Sequence, residues 1–285
     1  MFKIIKKEKI AENSYSMEIK AFDIAKNAKP GQFIMLIPHK ESGERIPLTI
    51  ADSNSNNGTI TIVLSIAGKT TNDLVNMNIG DDIAHIAGPL GHPSEIKDIK
   101  KVCLIGGGIG IAAIYPIAKE YAKQGKTVDC ILGIRNKNLL FWKEKFESFC
   151  NKVIIGCDDG SIGIKGNVVE VFDKYNNDIK LNNGEKCEQV VAIGPTIMMK
   201  FISIYMKDHN IPCIVSLNTL MVDGIGMCGS CRIKYNNEIK FVCVDGPEFD
   251  AKHVDFDEIM NRNSSFKEEE NHICNLNNVL LPKRK

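Results

Sequence analysis

Ahead of residue 98, apolar and polar residues alternate with a period of two over Tyr15 to Ala21, Gln32 to Ile37, Thr59 to Ile66 and Asp82 to Ala87. That period puts successive side chains on opposite faces, so each stretch reads as a half-buried strand. Turn clusters such as Lys29-Pro-Gly31 and Asn54-Ser-Asn-Asn-Gly58 separate them. Short strands at this spacing predict a β-barrel over residues 1–97. At Ile86-Ala-Gly-Pro-Leu-Gly-His-Pro93 turn residues take over, marking a boundary, and His92 there reads as a solvated loop residue.

From 98 to 213 the alternation gives way to unbroken apolar strands, Val102 to Ile105, Val128 to Gly133, Val153 to Ile155 and Val190 to Ile193. Helical stretches run from the glycines at 106–110 to about Lys123 and from Gly194 to about Lys207. This βαβ rhythm predicts a parallel sheet with helices on its faces, an α/β domain. Ile214 to Leu217 leads into a small module over 214–250, whose last part, Asp245-Gly-Pro-Glu-Phe-Asp250, is turn-like. Residues 251–285 read as a C-terminal tail, solvated from Asn261 through Lys267-Glu-Glu-Glu270 to Pro282-Lys-Arg-Lys285.

Composition narrows the partners. The 285 residues are 44% hydrophobic and carry a net charge of +1, which argues against nucleic acid or a membrane surface as the main partner. The 17 uncharged residues from Val102 to Ala118 contain four glycines and a proline before any charge interrupts them. A strand, a glycine loop and a buried helix account for them better than a membrane span. Ten cysteines, seven of them scattered among mostly apolar neighbours, suit a reducing cytoplasm.

The most specific chemistry lies in Met221-Val-Asp-Gly-Ile-Gly-Met-Cys-Gly-Ser-Cys231, followed by Cys243. The plant-type [2Fe–2S] pattern is Cys-x4-Cys-x2-Cys with a distant fourth Cys. Here Asp223, Cys228, Cys231 and Cys243 reproduce that spacing with Asp in the first place. Thiolates suit iron and sulfide, and glycines let the backbone turn tightly around a cluster. Zinc is the rival metal for a Cys-x2-Cys pair, unliganded structural cysteines are a further alternative, and Asp223-Gly224 is also an ordinary turn signal.

Two weaker signals point to phosphates. Arg45-Ile-Pro-Leu-Thr-Ile50 and Gly68-Lys-Thr-Thr71 combine a cation, hydroxyls and a strand-to-helix turn that could face a diphosphate, although such an Arg is also common in exposed loops. Gly108-x-Gly110-x-x-Ala113 meets the dinucleotide rule in a strand–loop–helix context. The second strand ends in Gly133-Ile-Arg135, where an acidic residue would favour NAD and Arg135 a 2′-phosphate, so the choice of nucleotide stays open. Gly194-Pro195 lies at a strand's carboxyl end, where a plain turn or a ligand loop both fit.

Taken in order, Arg45 to Thr49, Gly106 to Gly110, Gly194 to Met199 and the cysteine stretch resemble the ferredoxin–NADP reductase superfamily over nearly all of residues 1–270. The resembling branch holds the electron-transfer subunit of dihydroorotate dehydrogenase and the small subunit of NADH-dependent ferredoxin–NADP oxidoreductase, also called sulfide dehydrogenase. Asp223-Gly-x-Gly-Met-Cys-Gly-x-Cys and Cys243-Val-Asp-Gly-Pro-Glu-Phe-Asp250 are more similar to the latter, since the dihydroorotate branch has Cys in place of Asp223. Leu48 stands where the wider superfamily has an aromatic.

The resemblance implies FAD along Pro47, Leu48, Thr49 and Ile50, with Arg45, Val63, Leu64, Ser65, Gly68, Thr70 and Thr71 holding the rest of the cofactor. It implies NAD(P)H beside Gly107, Gly108, Ile109, Gly110, Arg135, Asp158, Gly194, Pro195 and Met198, and a cluster on Asp223, Cys228, Cys231 and Cys243. It further implies an enzyme that relays electrons from NAD(P)H to a larger flavoprotein subunit related to the glutamate synthase small subunit, and through that complex to ferredoxin. An electron-transfer subunit of dihydroorotate dehydrogenase and a non-catalytic iron–sulfur sensor are the alternatives.

Overall fold

The computed structural model describes residues 2–40, 43–181 and 184–276. Its first unit contains β1 (Phe2–Ala11), β2 (Ser14–Lys20), helix α1 (Phe22–Asn27), β3 (Phe33–Ile37), β4 (Ile46–Asn54), β5 (Thr59–Ser65), helix α2 (Lys69–Asn76), β6 (Asp82–Ile83) and β7 (His85–Leu90). The strands form one antiparallel sheet in the order β6-β1-β2-β5-β4-β3-β7. Its outermost strands, β6 and β7, are joined by Ala84 alone, so the sheet curls until its edges meet as a barrel. Inward-facing Met17, Ile19, Ile34, Leu36, Ile60 and Ile62 are fully buried, each contributing about 1.5–3 kcal/mol by leaving water.

The second unit is the α/β domain expected from the sequence. It contains β8 (Lys101–Gly107), α3 (Gly110–Lys123), β9 (Thr127–Ile134), α4 (Lys143–Glu147), β10 (Lys152–Cys157), β11 (Ile164–Lys165), α5 (Val168–Leu181), β12 (Gln189–Ile193), α6 (Thr196–Asp208) and β13 (Cys213–Ser216). The 102–118 run is split between β8 and α3, and among the described residues no helix is long and apolar enough to cross a membrane.

The cysteine-rich stretch follows, with the hairpin β14 (Arg232–Tyr235) and β15 (Glu238–Phe241), turned by Asn236 and Asn237 at φ 50° and 63°. After α7 (Val242–Asp245) come β16 (Glu248–Asp250), α8 (Phe256–Asn263) and α9 (Lys267–Leu276). The sheet order is β11-β10-β9-β8-β12-β13-β16, so the stretch 214–250 begins and ends inside strands of the α/β sheet. Two expectations need correcting here. Asp245–Asp250 is not simply a turn, because Glu248, Phe249 and Asp250 pair antiparallel with β13. The tail is not wholly solvated: residues 261–276 are mostly exposed but include the end of α8 and α9, on which Cys274 is buried. Pro282-Lys-Arg-Lys285 lies outside the described residues.

Barrel and sheet are packed together. Ala51 and Val63 of the barrel share a core with Val102 and Ile111, and Lys119 on α3 pairs with Asp52 at 3.1 Å. On the other side Phe33 and Met35 share a core with Leu217, Met221 and Cys243.

Candidate functional site

The barrel is incomplete where the sequence places the flavin segments. The first half of β4, Ile46 to Thr49, pairs only with β3, and the second half, from Ile50, pairs only with β5. β5 meanwhile continues through Val63, Leu64 and Ser65 beside β2. The two strands therefore part beyond Ile50 and Ile62, leaving a cleft with unpaired backbone on both rims. Pro47, Leu48 and Thr49 are only half-buried although they lie within the sheet.

Not every expected side chain faces this cleft. Leu64 is inside the barrel core and Val63 in the core shared with α3, so these two have only backbone to offer. Ser65 is engaged by Ser14 at 2.8 Å. At the start of α2 the Thr71 hydroxyl accepts from the amides of Ala67 and Gly68 and donates to the Gly68 carbonyl, so it shapes the turn. Thr70 is buried, Arg45 is exposed, and a Cβ on Gly68 would meet nothing within 4 Å. An open, amide-bearing turn next to the cleft fits a diphosphate.

In the second sheet, β9 and β12 flank β8 on opposite sides. Strand order reverses at such a point, and open α/β sheets bind ligands outside the carboxyl ends of the strands there. Gly107 to Gly110 and Gly194 to Met198 are the loops leaving β8 and β12. Their glycines divide into two kinds. A Cβ on Gly107 would lie 2.2 Å from Met198 Sδ, one on Gly110 2.1 Å from the Ile193 carbonyl oxygen, and one on Gly194 2.6 Å from Met198 Cε. Those three glycines let the two loops and Pro195 pack together. Gly108, at φ 54°, faces open space, and its neighbour Ile109 is exposed. Gly108 is thus the position that leaves room for a pyrophosphate. Arg135 and Asp158 lie at the ends of β9 and β10. Desolvation raises the Asp158 carboxyl above its ordinary range, and the Arg135 charge offsets part of this.

In the cysteine loop Asp223 acts as a backbone organiser. Its carboxylate accepts from the amide of Ile225 at 2.8 Å and of Cys228 at 2.5 Å, and these amides, Ile225 first, hold it below the usual carboxylate range. Gly224, Gly226 and Gly229 take φ of 77°, 87° and 68°, conformations that side-chain-bearing residues rarely adopt. Cys231 and Cys243 are buried with their sulfurs 3.3 Å apart. Burial, and then Cys231, push the Cys243 thiol up to about 12. Cys228 is exposed, and its thiol meets the Ser230 hydroxyl at 3.0 Å. Slight burial works against its ionisation, but hydrogen bonds from Ser230 and the loop backbone outweigh this and lower its value.

Among the described residues no three His, Cys, Asp or Glu side chains gather at metal-binding geometry. The donor set still fits an iron–sulfur cluster: two sulfurs are close enough for one metal, and one ionisable thiol lies in a glycine-lined loop. The seat of this loop could not be read from the sequence. A Cβ on Gly224 would lie 2.4 Å from Met35 Cγ and 3.3 Å from Leu90 Cδ1, so the loop rests on the barrel. Met35 pairs with Pro47 across β3 and β4. Another missed residue is Glu248, half-buried on β16, whose carboxylate accepts from the Ser94 hydroxyl at 2.5 Å. A carboxylate flanked by Pro247 and Phe249 was its only signal.

Residues 218–255 match the iron–sulfur cluster binding domain of dihydroorotate dehydrogenase B. The chain is 44% identical over 267 residues to the dihydroorotate dehydrogenase B (NAD(+)) electron transfer subunit homolog of Thermotoga maritima, covering 94% of this chain and 92% of that one. An uncharacterized Clostridium beijerinckii protein is 46% identical over 277 residues, covering 95% and 92%. Among solved structures, one reported for the NADH-dependent reduced ferredoxin–NADP oxidoreductase, in a study of flavin-based electron bifurcation, superposes with a TM-score of 0.89 at 42% identity, covering 97% of each chain. Similarity at this level, together with the barrel, the switch-point loops and the cysteine loop, makes the chain a member of the dihydroorotate dehydrogenase B electron-transfer-subunit family within the ferredoxin–NADP reductase superfamily.

Proposed function

We propose that the chain is the electron-relaying subunit of a ferredoxin–NAD(P) oxidoreductase, working in a reducing cytoplasm with none of its ten cysteines in a disulfide. In this reading residues 1–97 hold FAD, 98–213 bind NAD(H) or NADP(H), and 214–250 carry a [2Fe–2S] cluster on Asp223, Cys228, Cys231 and Cys243, ahead of the C-terminal 251–285. When bound, the flavin exchanges hydride with the nicotinamide and hands on electrons singly, and the cluster relays them.

The observation that carries this reading is the contact of Gly224 with Met35. It sets the cysteine loop one strand away from Pro47, on the rim of the flavin cleft. The chain's own groups then divide the work. The rims of β4 and β5 offer unpaired backbone to the cofactor, the start of α2 faces its diphosphate, and Gly108 admits the nucleotide's pyrophosphate next to the Met198 side chain. Cys231 and Cys243, whose sulfurs lie 3.3 Å apart, would hold the cluster together with Asp223 and Cys228. Around Cys228 the side chains of Leu220, Val222, Ile225, Met227 and Val244 are 40–83% exposed. An apolar rim of this kind suits a protein partner. We assign that face to a larger flavoprotein subunit related to the glutamate synthase small subunit, with ferredoxin served through the complex.

The match over 218–255 favours a second reading, the electron-transfer subunit of a dihydroorotate dehydrogenase. Asp223 in the first ligand position speaks against it. Absorbance spectra, acid-labile sulfide and NADH or NADPH titration of the anaerobically purified protein test the relay, and co-purified partners separate the two complexes. Zinc without sulfide, or a flavin that neither nucleotide reduces, would sink the proposal.

A further inference from the structure

Behind the loop of Cys228 and Cys231 lies a pocket of about 150 Å³, formed by the segment at Thr219 and Leu220, the backbone at Ser230, Arg232, and the end of α8 at Ile259 and Arg262, with Phe266. Thr219 is 8% exposed and its hydroxyl has no hydrogen-bond partner. That hydroxyl is sealed within the wall and does not face the space, which leaves the two arginines as the polar groups of the pocket. Arg232 Nη1 donates to the Gly229 carbonyl at 3.2 Å and Arg262 Nη2 to the Ser230 carbonyl at 2.9 Å. Among the described residues neither arginine has a carboxylate within ion-pair distance. Each guanidinium carries five N–H donors, so both retain donors for a guest. The end of α8 brings roughly half a negative charge against two full positive ones. Leu220, Ile259 and Phe266 make the opposite wall apolar.

We infer that this pocket binds a small dicarboxylic acid, two carboxylates joined by a short apolar stem. Each arginine fork matches one carboxylate, and the stem lies against the apolar wall. The guest sits against the carbonyls that separate Cys228 from Cys231, and its negative charge there lowers the cluster's reduction potential. This consequence rests on the proposed cluster ligands; the binding itself does not.

Calorimetric titration of the anaerobically purified holoprotein with glutarate, and with 1,5-pentanediol as an uncharged match, tests the site. Saturable binding of glutarate alone is expected. Arg232→Gln and Arg262→Gln should each weaken it by about tenfold or more. Glutarate heats no different from those of the diol, or full affinity in a natively folded Arg232→Gln, overturn the site. A redox titration with and without glutarate reads the coupling, and a potential unchanged at saturation overturns that part. Glutarate binding in a protein lacking acid-labile sulfide supports the pocket and counts only against the cluster.

Discussion

At the end of β8 and the start of α3, Gly106, Gly107 and Gly110 are required by what surrounds them, whereas in the loop between β13 and β14 Gly229 is required by the backbone's own path. Added Cβ atoms at Gly106, Gly107 and Gly110 would run into Ile111, Met198 and the Ile193 carbonyl at 2.8, 2.2 and 2.1 Å. At Gly229 the nearest atom would be a Phe241 side-chain carbon at 3.6 Å, yet φ is 68°. The first loop is held by its packing against Met198 and the Ile193 backbone. The second is held by the Asp223 carboxylate and the Met35 contact, with Cys228 and Met227 turned outward. A site for an exchangeable ligand is thus prebuilt, and a site for a resident cluster keeps reactive side chains on a lightly anchored backbone.

The strongest test of this contrast is Gly110→Val. Its Cβ cannot avoid the Ile193 backbone, so stability should fall by about 3 kcal/mol or more, lowering Tm by roughly 10 °C. A thermal scan in which the variant melts with the parent would show that the close packing is not needed. Cys228→Ala should leave Tm of the barrel and sheet almost untouched while acid-labile sulfide is lost, since the exposed loop contributes little core.

Legibility followed the same division. The apolar run Val102–Ile105, the glycines after it and the spacing from Asp223 to Cys243 are local patterns, and the sequence states them. β4 escaped because Pro47 interrupts it and its halves pair with different neighbours, so it shows no alternation. β1 escaped because lysines dominate it and Ile4 is its one buried residue. The pairing of β16 with β13, the cleft between β4 and β5, and the seat of Gly224 on Met35 depend on register between distant segments, which no local pattern carries.

Smaller effects separate the loops further. Gly108→Val meets no neighbour, but at φ 54° a β-branched residue costs about 1–2 kcal/mol, and its side chain fills the space assigned to the pyrophosphate. NAD(P)H affinity should drop about tenfold or more with flavin content unchanged; parent-like affinity would misplace the nucleotide. In the other loop, Asp223→Cys should keep a cluster with an altered potential, because thiolate is a softer donor than carboxylate. Asp223→Ala loses the bonds to Ile225 and Cys228 and should make the cluster labile. Redox titration with electron paramagnetic resonance reads both variants, and an unchanged signal in Asp223→Ala would reduce Asp223 to a turn residue.

The smallest expected effect concerns Glu248, where the chain returns from the cysteine loop into the sheet. Burial raises its carboxyl above the ordinary range, and the hydrogen bond from Ser94 offsets only part of this. The folded protein therefore holds this proton more tightly than the unfolded chain does. The resulting stability is fully present below the ordinary glutamate value and is lost as pH rises through the raised one. Glu248→Gln keeps an acceptor for Ser94 and cannot ionise. Its Tm should exceed the parent's at neutral and alkaline pH, by no more than the few degrees that about 1 kcal/mol represents. The two melting curves should converge as pH falls into the ordinary glutamate range. A Tm difference that stays constant across that range would mean that Glu248 carries no buried charge, and that the return of the loop into the sheet is as open to water as the loop itself.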